Sequence, residues 1–66
     1  MRDPNRLNSF YDELKELHKK YFPDWRFGQF MYNFMAWYGD PFYLEEKLFI
    51  SKVKEYIKEM IGEDVP

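Results

Sequence analysis

The stretch Trp25-Arg26-Phe27-Gly28-Gln29-Phe30-Met31-Tyr32-Asn33-Phe34-Met35-Ala36-Trp37-Tyr38 decides the fold, because it carries a single charge and is otherwise built mostly of rings and thioethers. At about 100° per residue, Phe27, Phe30, Met31, Phe34, Met35, Trp37 and Tyr38 fall on nearly half of a helix circumference. Gly28, Gln29, Tyr32, Asn33 and Ala36 make the other face. The run is predicted to be a central helix whose broad apolar face receives the segments on either side. Gly28 sits either in the first turn or where another backbone comes close, the second being the commoner reason for a glycine inside a helix.

Working outward toward the N-terminus, Leu7, Phe10, Tyr11, Leu14, Leu17, His18 and Tyr21 recur at three- and four-residue spacing and form one stripe of a first helix. Asp3-Pro4 reads as its start, an acceptor side chain followed by a proline where no N–H is needed. Asp12, Glu13 and Glu16 precede Lys15, Lys19 and Lys20, the order that suits the helix dipole, so this charge run reads as a solvated face. Phe22-Pro23-Asp24 ends the helix, with Asp24 available to cap the next.

On the C-terminal side, Gly39 suits a left-handed helix end, and Asp40-Pro41 offers a second cap-like pair. Phe49, Val53, Tyr56, Ile57 and Met60 define the buried face of a last helix. It is expected to start near Glu45, since acidic residues favour a first turn. Gly62 stops it and Glu63-Asp64-Val65-Pro66 is expected to fray. Leu44 and Leu48 form a small separate apolar pair that should pack under a neighbouring loop.

The prediction is therefore an all-α, compact three-helix domain, with helices over about 4–21, 25–38 and 45–61 and the aromatic central helix packed between the other two. Residues 1–66 make one domain. A chain this short buries only roughly 60% of its unfolded surface. Its seven Phe, six Tyr and two Trp are how it can still assemble a core, since large rings each bury roughly 150–250 Å².

Several function classes fall away. There is no Cys, hence no disulfide or thiolate metal site, and one His cannot build a zinc centre by itself. No apolar run reaches the ~20 residues of a membrane span, and no signal-peptide core follows the N-terminus. A soluble, unprocessed cytoplasmic protein is expected. The net charge is −2, distributed as five basic against four acidic residues in 1–22, one of each in 23–39, and four against seven in 40–66. That is not the concentrated cationic footprint of a nucleic-acid binder.

No motif carries chemistry. His18 lies in an apolar stripe without a nucleophile beside it and reads as a core-edge residue. Glu45 and Glu46 are consecutive, so on a helix they diverge by about 100° and cannot act as a carboxylate pair. Phosphate loops, zinc motifs, nucleophile elbows and calcium loops are absent. No catalytic residue, cofactor or metal is expected.

The segments Arg2-Asp3-Pro4-Asn5-Arg6-Leu7, Pro23-Asp24-Trp25-Arg26-Phe27-Gly28-Gln29 and Asp40-Pro41-Phe42-Tyr43-Leu44-Glu45-Glu46 together resemble a group of short uncharacterised bacterial and phage proteins. Those begin Arg-Asp-Pro-x-Arg, carry Pro-Asp-x-Arg-Phe-Gly-Gln, and continue with Asp-Pro-Phe-Tyr and acidic residues. The resemblance implies a cytoplasmic bacterial or phage origin and no catalytic residue. It directs attention to Arg26, Gln29, Asp40 and Tyr43 beside the two connections. Arg26 and Gln29 are expected to hydrogen-bond the 40–46 segment and fix how the last helix crosses.

The functional expectation is a non-enzymatic protein–protein interaction or regulatory module, or an oligomer. Its partner-binding residues would be Trp25, Arg26, Gln29, Tyr32 and Tyr43, residue types frequent at interface hot spots or beside them. The competing expectation is single-stranded nucleic-acid binding by aromatic stacking beside Lys15, Lys19 and Lys20.

Overall fold

A computed structural model describes residues 2–66. Three helices follow one another: α1 (Arg6–Tyr21), α2 (Phe27–Tyr38) and α3 (Glu46–Ile61). Helices α1 and α3 lie side by side and run the same way. Arg6 Nε meets Glu46 Oε1 at 2.7 Å, the rings of Phe10 and Phe49 meet at 5.7 Å, and Lys54 Nζ reaches Glu13 Oε2 at 3.8 Å. Helix α2 leaves from the C-terminal end of α1 and crosses α3. Phe34 sits at the crossing, 5.1 Å from the Phe49 ring and 5.9 Å from the Tyr56 ring.

The predicted all-α three-helix domain is the architecture observed. Its core is Leu14 and Leu17 of α1, Phe30 and Phe34 of α2, and Ile50, Val53, Tyr56 and Ile57 of α3. It is α3, and not the aromatic central helix as expected, that packs between the other two, because it supplies half of these side chains and its backbone lies close to both. Three of its four are aliphatic, and such side chains let helices approach more closely than rings do. The aromatic helix meets α1 at the latter's end, where His18 and Phe22 pack on Phe30 with ring centroids at 5.0 and 5.4 Å.

Local hydrogen bonding explains where the helices begin. Helix α1 starts at Arg6 and not at Pro4, because the preceding turn is tight. The N–H groups of Arg6, Leu7 and Asn8 each bond to a carbonyl three residues back at 3.2 Å, and Asp3 Oδ1 accepts from the Asn5 N–H at 3.0 Å. Helix α2 starts at Phe27 and not at Trp25. Pro23 and Asp24 are enclosed in a turn closed by the Trp25 N–H on the Phe22 carbonyl at 3.1 Å. Asp24 does not cap; Gln29 Oε1 accepts from the Arg26 N–H at 2.7 Å and secures the helix start. Helix α3 starts at Glu46 with Glu45 as its N-cap, the late start expected.

The helix ends depend on two glycines. Gly62 has φ 75° and ψ 16°, the left-handed C-cap expected. Gly39 has φ 105° and ψ −154°, outside the left-handed well and in a region that only glycine occupies readily. The C-terminal tail does not splay away as expected. Val65 packs against the core, and Lys58 Nζ holds Asp64 Oδ1 at 2.9 Å, because the Gly62 reversal folds the chain back.

Candidate interaction surface

Helix α2 contains no Asp, Glu, Lys or Arg, yet it is buried on one side only. Phe30 and Phe34 are fully buried, Met31, Asn33 and Tyr38 are half-buried, Trp37 lies at the edge with its ring on Tyr56 and its Nε1 donating to Glu59 Oε2 at 3.1 Å, and the remaining residues face solvent. Gly28, Gln29, Tyr32, Met35 and Ala36 make one continuous exposed arc, with Tyr32 74% accessible. Phe27 and Met35, assigned to the core face from their spacing, are instead exposed at 57% and 40%. The apolar arc spans nearly half the helix, but only the sector around Phe34, against α3, and Phe30, against the end of α1, is covered.

The five predicted partner-binding residues divide into three groups. Arg26, Gln29 and Tyr32 lie exposed along the start and outer side of α2. Trp25 is half-buried and stacks on Phe22, with centroids 4.2 Å apart and planes at 6°, so it seals the core edge. Tyr43 is 90% exposed in the α2–α3 connection, beyond the far end of a helix of 12 residues. At 1.5 Å per residue it is about 18 Å from the Trp25 end. Phe42, exposed beside Tyr43 with ring centroids at 4.8 Å, escaped the sequence reading. So did the exposure of Phe27 and Met35; the available signal was the uncharged run from 27 to 39.

Arg26 and Gln29 do not fix the 40–46 segment. Gln29 is occupied by the Arg26 backbone, and among the described residues no hydrogen bond joins either side chain to that segment. Glu45 and Glu46 diverge as expected, and each takes its own arginine, Arg2 and Arg6 respectively. The Arg6 guanidinium, hydrogen-bonded to Glu46, holds that carboxyl below its ordinary value. The two Asp-Pro pairs build the same local turn, since Asp40 Oδ1 accepts from the Phe42 N–H at 2.9 Å as Asp3 does from Asn5. Leu44 is half-buried, while Leu48 is exposed and not covered by a loop.

His18 is a strut. Its Nε2 lies 2.7 Å from the Trp25 carbonyl, and because a carbonyl only accepts, that nitrogen carries the proton. The bond spans the α1–α2 connection while the ring rests on Phe30. Among the described residues, open grooves mark the surface. One, of about 590 Å³, runs between α1 and α3 over Phe10 and Ile50; another, of about 470 Å³, lies between α1 and the tail at Val65. His18 lines neither. Among the described residues no three His, Cys, Asp or Glu side chains gather to hold a metal, and no helix is long and apolar enough to cross a membrane.

Lys15, Lys19 and Lys20 are exposed on α1 among Asp12, Glu13 and Glu16, and Lys20 lies over the half-buried Tyr21 ring at 5.3 Å. Elsewhere, burial raises the Tyr56 hydroxyl above its ordinary pKa, and Asp64 raises that of Lys58. Comparison with protein-family models, with curated proteins and with solved structures returns no match to this chain.

Proposed function

We propose that the protein is a non-enzymatic interaction module of the cytoplasm, docking a protein partner through the outer face of α2. The observation that carries this reading is a helix without one charged residue that nevertheless presents Tyr32 and Met35 to water on its outer face. Interface centres are depleted of charge and enriched in aromatic residues and Met, whereas a solvated helix face is normally covered by charged side chains, as α1 is here. Arg26 and Gln29 supply a polar rim at one end. Tyr32 is the anchor, a large amphipathic ring with few torsions to immobilise on binding.

The test is capture from bacterial lysate with immobilised wild type and with Tyr32→Lys, compared by quantitative mass spectrometry. A protein retained by the wild type and lost with the variant supports the reading. Identical retained sets from a wild type that also fails to self-associate refute it.

A further inference from the structure

We infer that the partner of this face is a second copy of the same chain, with the two α2 helices packed antiparallel about a two-fold axis near Tyr32; this rests on the docking reading above. The end charges of α2 are set against its own dipole. Arg26 occupies the N-cap, where the helix presents partial positive charge, and Asp40 follows Gly39 at the C-terminal end, where it presents partial negative charge. Asp24, two residues outside the N-cap, offsets only part of the first conflict. The Arg26 guanidinium has no hydrogen-bond or ion-pair partner among the described residues, and Asp40 accepts only from the uncharged Phe42 N–H. An antiparallel second copy corrects both ends at once, because Arg26 of each copy then lies beside Asp40 of the other and each N-terminus beside a C-terminus.

The residues between those charges suit the same symmetry. Gly28 and Ala36 are centred on 32, so the copies place glycine opposite alanine on either side of the Tyr32 pair; residues 26 and 40 are centred on 33, which leaves them offset by about 3 Å, within reach of the Arg26 side chain. A two-fold contact of this kind is self-complementary and leaves no charge buried without a partner. Parallel packing would instead bring Arg26 against Arg26 and Asp40 against Asp40. Rings bury roughly 150–250 Å² each when fully covered, so Tyr32 together with Met35 offers about 200–400 Å² per copy. That is less than the ~800 Å² per partner of a standard interface, and the dimer is accordingly weak, concentration-dependent and roughly micromolar in dissociation constant or weaker.

The experiment is analytical ultracentrifugation of the full chain over a range of concentrations, with Arg26→Glu, with Asp40→Lys, and with an equimolar mixture of the two variants. Wild type should associate, and each variant alone, placing like charges together at both ends, should associate about tenfold more weakly. The mixture should recover wild-type association, since the heterodimer restores two opposite-charge contacts. Circular dichroism checks folding; should Asp40→Lys not fold, Asp40→Asn keeps the turn acceptor and should weaken association by about threefold, and Tyr32→Lys should abolish it. A wild type that stays monomeric throughout, or a mixture that associates no better than its components, overturns the inference. Monomeric wild type that still captures a Tyr32-dependent host protein overturns the self-pairing while the docking reading stands; monomeric wild type that captures none removes both.

Discussion

Replacing Phe34 with alanine should bring the domain to the edge of unfolding. The ring is fully buried and lies 5.1–6.2 Å, centroid to centroid, from Phe49, Tyr38, Tyr56 and Trp37, two of them on α3. Phe→Ala in a core costs about 3–5 kcal/mol, through lost burial and the cavity left behind. At about 0.05–0.15 kcal/mol per residue the whole chain has about 3–10 kcal/mol of stability, so one side chain carries a large share of it. Phe34→Leu retains most of the volume but loses the ring pairs, for about 2 kcal/mol, or a melting temperature lower by about 8–16 °C. Urea denaturation followed by tryptophan fluorescence and far-UV circular dichroism reads both. It should be run at low protein concentration so that association does not contribute. The control is Tyr32→Ala, two residues away and exposed, which should change stability by no more than about 0.5 kcal/mol. A cooperative Phe34→Ala unfolding transition within about 1 kcal/mol of wild type would refute the assignment of Phe34 as the point where α2 and α3 lock together.

Gly28→Ala should stabilise by about 0.5 kcal/mol, because an added Cβ meets nothing within 4 Å and Gly28 lies in the first turn of α2. By contrast Gly39→Ala should destabilise by about 1–2 kcal/mol, since φ is +105° there; melting temperatures of the two variants give both signs. Glu46 is held below its ordinary value of 4.5 in the folded chain. Its contribution is therefore intact above that pH and is lost as pH falls through the folded value, and acid titration of Arg6→Gln should show a shallower loss than wild type. Tyr56 behaves oppositely: burial raises it above 10.0, so stability is present below that pH and falls as pH rises past it, a decline that Tyr56→Phe should lessen. Titration with mixed-sequence single-stranded oligonucleotides at low salt should show no binding, because Lys15, Lys19 and Lys20 are interspersed with Asp12, Glu13 and Glu16.

Periodicity made the three helices legible, because the alternation of Phe, Leu and Ile with charges at three- and four-residue spacing has one geometric solution. It overstated the buried arc of α2. A wheel reports which residues are apolar, while burial depends on how many neighbours the helix has, and α2 leans chiefly on α3 at the Phe34 crossing. The connections were harder to read for a different reason. Asp3, Asp24 and Asp40 are equally plausible caps by residue type, yet two of them form local turns, and the start of α2 is secured by Gln29. Arg2 and Arg6 pair with Glu45 and Glu46 across some forty residues, a separation no local pattern reveals. Tyr32 could be singled out from the sequence because it stood off the aromatic stripe. Phe27, Met35 and Phe42 could not, since rings and thioethers read as core until a neighbour proves absent.

The central claim is that α2 buries Phe30 and Phe34 while offering Tyr32 and Met35 to a second copy. Oxidative footprinting across a dilution series tests it most directly. Phe30 and Phe34 should be protected at every concentration, whereas Tyr32 and Met35 should be modified readily in dilute solution and become protected together as concentration rises. Protection of Tyr32 in the most dilute sample, or equal modification of Tyr32 and Met35 at all concentrations, would contradict it.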